Sequence, residues 1–172
     1  VQQGTVKAKE LSVDKIVKRA YKNAFYSGDD ARGTINMTIV DSQGRKRTRK
    51  LIKLKKDIED NGEQKFYVYF KRPADVRKMV YMVYKHPGSQ DDRWLYLPSL
   101  DLVRRISTND KRSSFAGSHL TYEDVSGRAL ELDKHTLIGE EDGNYILKNI
   151  PKDKDSVEFS YYKMWIDKES FL

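Results

Sequence analysis

Cysteine is missing from the 172-residue sequence. That excludes disulfides, thiolate metal sites and cysteine nucleophiles, and it leaves the redox compartment open. No apolar run approaches the roughly 18 residues that a membrane-spanning helix needs. No charged-then-apolar leader opens the chain. It begins at Val1 rather than Met, so an upstream segment removed from it is an expectation. Histidine is scarce: His86, His119 and His135 stand apart, outside any His-Glu-x-x-His or His/Asp cluster. Neither a metal site nor a cofactor is therefore expected. There is no Gly-x-Ser-x-Gly elbow, no Walker loop and no Gly-x-Gly-x-x-Gly. The acidic pairs Asp29-Asp30, Asp91-Asp92 and Glu140-Glu141 fall in predicted turns, where carboxylates are routine. With no catalytic constellation, the chain is not expected to be an enzyme.

Charge and aromatic rings are abundant instead. Lys and Arg number 33 against 26 Asp and Glu, a formal net charge of +7. Aromatics reach 11%, including 11 Tyr, which argues against a disordered chain despite its charge. The length suffices for a domain with a real core. A basic balance serves nucleic acid, an anionic membrane surface or plain solubility, and its distribution has to decide.

Taken in order, Val1 to Leu11 is a polar lead-in. Ser12 to Phe25 is predicted as a helix, with Ser12 as cap and Asp14 in the first turn, where the helix dipole favours negative charge. Ile16, Val17, Ala20 and Ala24, with Val13 and Phe25 less strictly, form its apolar stripe. Lys15, Lys18, Arg19 and Lys22 fill the rest. Such a helix either meets a membrane surface or phosphate, or packs on a sheet with its lysines in water; the second is the more ordinary use.

From Arg32 the period becomes two. Ile35, Met37 and Ile39 alternate with polar residues, and Asp41 to Gly44 reads as a hairpin turn. The returning strand, Arg45 to Lys56, is unusually basic. A turn at Asp60-Asn61-Gly62 leads to Phe66-Tyr67-Val68-Tyr69-Phe70, apolar on both faces. Met79 to Tyr84 has the same character. Short strands follow at Trp94 to Leu97 and Leu102 to Ile106, then at Thr136 to Ile138, Tyr145 to Leu147 and Val157 to Ile166. A loop is expected from Pro151 to Asp155. Thr121-x-x-Asp124 and Ser107-x-x-Asp110 are weak helix-start signals.

One helix and roughly nine strands joined by hairpin-sized turns predict a mainly β, α+β fold. Its form would be a curved antiparallel sheet or incomplete barrel with the N-terminal helix packed on it. Strands apolar on both faces need a cover on each: the helix on one, and a core, partner or ligand on the other. Two kinds of binding suit this. The first is an apolar ligand, with Met37, Ile39, Phe66, Val68, Phe70, Val80, Met82, Trp94 and Tyr96 as candidate lining. The same residues would equally make an ordinary core. The second is nucleic acid on the Arg45 to Lys56 strand, with Tyr67 and Tyr69 stacking bases. Charge on such a strand also guards a sheet edge against aggregation, and no nucleic-acid partner is expected.

The run from Arg93 to Asp124, RWLYLPSLDLVRRISTNDKRSSFAGSHLTYED, resembles the LolA-like outer-membrane lipoprotein-sorting proteins. The hairpin MTIVDSQGRKRTRKL, the strand pair FKRPADVRKMVYMVY and the late YKMWIDKES strand are similar to the same family, so the resemblance runs from Ser12 to about Ser170. It implies a single LolA/LolB-like domain over residues 1–172, an incomplete barrel whose concave apolar face takes lipid or lipoprotein acyl chains. It also implies the periplasm, reached after signal-peptide removal, with an inner-membrane transporter or an outer-membrane acceptor as partners. Family members usually continue for several strands past the Trp-Ile-Asp-Lys-Glu strand, so a C-terminally shortened domain is expected. Some relatives are linked to membrane exporters, which leaves a non-enzymatic accessory protein docking to an exporter as the alternative.

Overall fold

The computed structural model describes residues 11–59 and 62–172. The lead-in up to Glu10, and Asp60 and Asn61 of the predicted turn, lie outside the described residues. Two compact units are present.

The larger unit, Tyr26–Ala129, is a six-stranded antiparallel meander: β1 Asp30–Val40, β2 Lys46–Asp57, β3 Gln64–Arg72, β4 Val80–Lys85, β5 Asp92–Leu97 and β6 Leu102–Arg105. Each strand pairs with its neighbours in sequence, and β1 and β6 are the two edges of an open sheet. The turns follow from local chemistry. Between β1 and β2, the Asp41 side chain accepts from the backbone N–H groups of Gln43 and Arg45, and Gly44 takes the positive φ that closes the turn.

Period two gives this sheet two distinct faces. On one, Leu51, Phe66, Val68, Phe70, Tyr81, Val83 and Leu95 are buried. Their cover is the segment Ile106 to Gly127, which carries the helical turn α2, Tyr122–Ser126. Phe115 is its anchor. Its ring lies 5.6 Å from Phe70, 5.4 Å from Tyr81 and 5.8 Å from Tyr122. Burying a side chain of this size contributes about 1.5–3 kcal/mol.

Polar groups hold the cover as well. Thr121 caps α2 through a reciprocal pair with Asp124, so the Thr121-x-x-Asp124 signal marks a real helix start. Ser107 and Asp110 close a turn rather than a helix. The Tyr81 hydroxyl donates to the Tyr122 carbonyl at 2.9 Å. Lys53 donates to the Val125 carbonyl at 2.6 Å, and Lys85 to those of Ser126 and Gly127 at 2.6 and 2.8 Å. These carbonyls lie at the C-terminal end of α2, where unpaired backbone acceptors favour a cation. Buried Glu123 receives Lys111 at 2.9 Å, Arg112 at 3.3 Å and Arg128 at 3.2 Å.

The second unit joins α1, Val13–Phe25, to the three-stranded antiparallel sheet β7 Asp133–Glu141, β8 Asn144–Pro151 and β9 Tyr162–Asp167. Ile16, Val17 and Ala20 of the helix pack with Leu147, Ile166 and Phe171. Ala24, expected on the stripe, is exposed. The N-terminal helix thus covers the smaller sheet, and Ile106 to Gly127 covers the larger one. Asp142 and Gly143 both take positive φ in the β7–β8 hairpin, as a tight two-residue turn requires. Strand β8 runs on to Pro151, into the predicted loop. Strand β9 begins only at Tyr162: Val157 to Tyr161 alternates in sequence but lies outside the β8–β9 pairing, whose last pair is Asn149 with Tyr162.

Among the described residues no helix is long and apolar enough to cross a membrane.

Candidate functional site

The outer face of the six-stranded sheet is the candidate site. Its side chains follow directly from the register and form three rows across the strands. The first row is Asp30, Lys56, Lys65, Tyr84 and Asp92. The second is Arg32, Leu54, Tyr67, Met82, Trp94 and Arg105. The third is Thr34, Ile52, Tyr69, Val80, Tyr96 and Val103. The second row is aromatic and aliphatic in the middle and closed by an arginine at each end. The third is apolar from Ile52 to Val103. None of these apolar side chains is fully buried, and Leu54 and Tyr67 are exposed.

The first two rows frame a cavity of about 490 Å³, lined by Asp30, Ala31, Arg32, Leu54, Lys55, Lys56, Lys65, Phe66, Tyr67, Met82 and Tyr84. All but Ala31, Lys55 and Phe66 belong to those rows. Leu54, Tyr67, Met82 and Tyr84 supply the apolar surface, and Arg32, Lys56 and Lys65 the charged margin. The ammonium of Lys65 lies 4.6 Å from the centre of the Tyr84 ring, a cation–π contact. That ring in turn meets Trp94 edge-on at 5.2 Å. A cavity of this size falls within the range of small-molecule sites, about 300–1,000 Å³.

The far end of the face is polar and fixed. Arg105 pairs with Asp92, and Asp92 also meets His86 at 3.3 Å. The hydrogen bond from His86 to Glu63 at 2.8 Å, opposed by partial burial and helped by Asp92, raises the imidazole pKa above its ordinary value. The hydrogen bond of Tyr96 to Asp101 raises the phenol likewise. His135 bonds Asn149 and the Leu130 carbonyl in the smaller unit. Among the described residues no cluster of His, Asp and Glu is arranged to hold a metal ion.

The nine candidate lining residues divide between the two faces. Val80, Met82, Trp94 and Tyr96 stand on the outer face, and of them Met82 lines the cavity. Met37, Ile39, Phe66, Val68 and Phe70 point to the covered face, where Phe66, Val68 and Phe70 are core, and Phe66 also contributes to the cavity lining. A single surface cannot hold both sets, because a strand sends successive side chains to opposite sides. The structure adds Arg32, Leu54, Lys56, Lys65, Tyr67 and Tyr84 to the site. Their signal is parity: Tyr67 shares it with Tyr69 in a strand apolar on both faces, and Leu54 with Ile52 in the basic strand.

The basic strand divides in the same way. Arg49, Lys53 and Lys55 turn to the covered face, where Lys53 holds Val125, Lys55 meets Asp57 at 3.1 Å and Arg49 lies 3.7 Å from Asp75. Burial, with Lys55 close by, lowers the Lys53 pKa. Lys46, Lys50 and Lys56 take the outer face. The strand therefore offers no single cationic stripe to a nucleic-acid backbone.

A family model described as an uncharacterized protein matches residues 62–172. No curated protein matches the chain in sequence. The crystal structure of a DUF1329 family protein from Desulfovibrio piger is similar at 30% identity and a TM-score of 0.80, covering 93% of this chain and 70% of that one. A domain from Vibrio parahaemolyticus, provisionally assigned to outer membrane lipoprotein sorting, is similar at 28% identity and a TM-score of 0.77, covering 91% of this chain and 66% of that one. This chain therefore spans about two thirds of the length of each. The sheet of the larger unit is open rather than closed, as the resemblance in the sequence implied. By these matches the chain belongs to the DUF1329 family and carries a LolA-like fold.

Proposed function

We propose that this protein is a non-enzymatic periplasmic carrier that shields the acyl chains of a lipid or lipoprotein on the outer face of its six-stranded sheet. The observation that carries this reading is the pair of apolar rows, Leu54-Tyr67-Met82-Trp94 and Ile52-Tyr69-Val80-Tyr96-Val103, left without full cover beside a 490 Å³ cavity. An apolar surface rimmed by polar residues is the usual mark of a binding groove. The likeness to a domain assigned to lipoprotein sorting supports the same reading. An acyl chain in water loses about 0.8 kcal/mol per CH₂ relative to an apolar setting, so transfer between membranes needs a shield of this kind. Met82 suits the task, because an unbranched thioether side chain repacks around flexible chains.

Native mass spectrometry of gently purified protein, followed by lipid analysis after denaturation, tests the proposal. The expected result is a bound species of lipid or acyl mass, with occupancy reduced in Trp94→Ala and Met82→Ala. A clean unliganded mass, with no uptake of added lipid or lipopeptide, would refute it and turn the search to protein partners.

A further inference from the structure

We infer that the cavity selects an anionic amphiphile: its chain lies along Leu54, Tyr67 and Met82, and its negative head group is held by Arg32, Lys56 and Lys65. This rests on the lipid-shielding reading above and assigns the charge of the ligand. Three cations stand at the cavity against one carboxylate, Asp30. The other cation in the lining, Lys55, is turned to the covered face and engaged with Asp57 and the Gly28 carbonyl. Among the described residues, Arg32, Lys56 and Lys65 enter no ion pair, whereas Arg105 at the other end of the same row is neutralised by Asp92.

Lys56 and Lys65 also face each other directly across β2 and β3. Like charges at opposed positions of a sheet repel, so an anion between them removes a cost that the unliganded protein carries. Lys65 is steadied by the Tyr84 ring, which positions its ammonium over the apolar floor. Arg32, cross-strand partner of Leu54, stands where the chain-binding row begins. The head group and the chain thus have separate but adjoining seats. A phosphate and a carboxylate share the required chemistry.

The test is competition for the cavity, read by displacement of a fluorescent fatty-acid probe, with every amphiphile below its micelle concentration. The ligands are dodecyl phosphate, laurate, neutral dodecyl maltoside and cationic dodecyltrimethylammonium, with inorganic phosphate added as a chainless control. Dodecyl phosphate and laurate are expected to bind at least about tenfold more tightly than dodecyl maltoside, the ratio that one charge-assisted contact supplies. The cationic amphiphile and inorganic phosphate should displace little. The preference should shrink with added salt, because the cations face solvent.

The variant R32Q/K56Q/K65Q should lose the anionic preference while keeping its affinity for dodecyl maltoside. K46Q/K50Q/K71Q removes the same charge elsewhere and should keep the preference. Circular dichroism and a thermal melt confirm the fold of both. Equal binding of neutral and anionic ligands, unaltered by the rim variant, overturns the head-group assignment and leaves the acyl-chain reading standing. Loss of preference in both variants overturns it too, since the effect is then one of net charge. Failure of every amphiphile to bind overturns both readings. Dodecyl phosphate ahead of laurate identifies a phosphate head group as the better fit, and the reverse identifies a carboxylate.

Discussion

Phe115→Ala tests how the inner cover is held. Phe115 is 3% exposed and its ring meets Phe70, Tyr81 and Tyr122 at 5.4–5.8 Å. Truncating a buried Phe to Ala costs about 3–5 kcal/mol, part of it lost transfer and part an unfilled cavity. Whole domains of this size are stable by about 5–15 kcal/mol, so the loss is a large fraction of the total. In urea, with m-values of about 1–3 kcal/mol per molar, the midpoint should fall by at least about 1 M. Fluorescence should be followed in a Trp165→Phe background, which leaves Trp94 of β5 to report on the six-stranded unit alone. Limited trypsin digestion gives a second readout. Cleavage after Lys111 or Arg112 should precede global unfolding in the variant, since both side chains lose their seat on Glu123 when the cover lifts. A loss below about 1 kcal/mol with unchanged proteolysis would mean that the aromatic cluster does not fasten the cover.

Glu123→Gln should cost about 3–5 kcal/mol in a chemical melt, because Lys111, Arg112 and Arg128 are left without their buried counter-charge. Burial pushes this carboxyl up, but the Lys111 hydrogen bond and the charges of Lys111, Arg128 and Arg112 outweigh it and hold the pKa below 4.5. Its contribution is therefore present above the unfolded value and is lost as pH falls through the lower folded one, so wild type should lose part of its advantage over Glu123→Gln in acid. His86 works in the opposite direction. Its folded pKa is raised above 6.5, so its contribution is full below 6.5 and fades as pH rises through the folded value. Titration by NMR of wild type and Glu63→Gln checks this: the midpoint should move down in the variant, and an unmoved midpoint would exclude Glu63 as the cause.

Much of the fold is legible in the residues, because period two survives along each strand. The hairpin at Asp41 to Gly44, the one at Glu140 to Asn144 and the helix after Ser12 each carry local chemistry that fixes them. The site is harder, because it depends on parity between strands. Val68 and Met82 are both apolar positions in good strands, yet one is core and the other lines the cavity. Their relation is set by the irregular connection from Pro73 to Met79, which decides that Tyr67, not Val68, stands opposite Met82. No periodicity reports that. The inner cover is hidden for a different reason. Ile106 to Gly127 is polar along most of its length and is held by single residues, Phe115 and Glu123, that look like loop residues until their partners are known. Val157 to Tyr161 misled in the other direction: it alternates like a strand but runs outside the ladder.

The meander order of the larger sheet has a consequence for how the chain assembles. Strands β1 to β6 each pair with the next, so every added strand closes only a short loop, and the sheet can grow as the chain is delivered from its N-terminal end. Helix α1 has no such neighbour. The side chains that bury its Ile16, Val17 and Ala20 are Leu147, Ile166 and Phe171, more than a hundred residues later. Until those residues are made, the apolar stripe has none of its folded-state partners. The smaller unit can therefore close only after the whole of the larger one has been made.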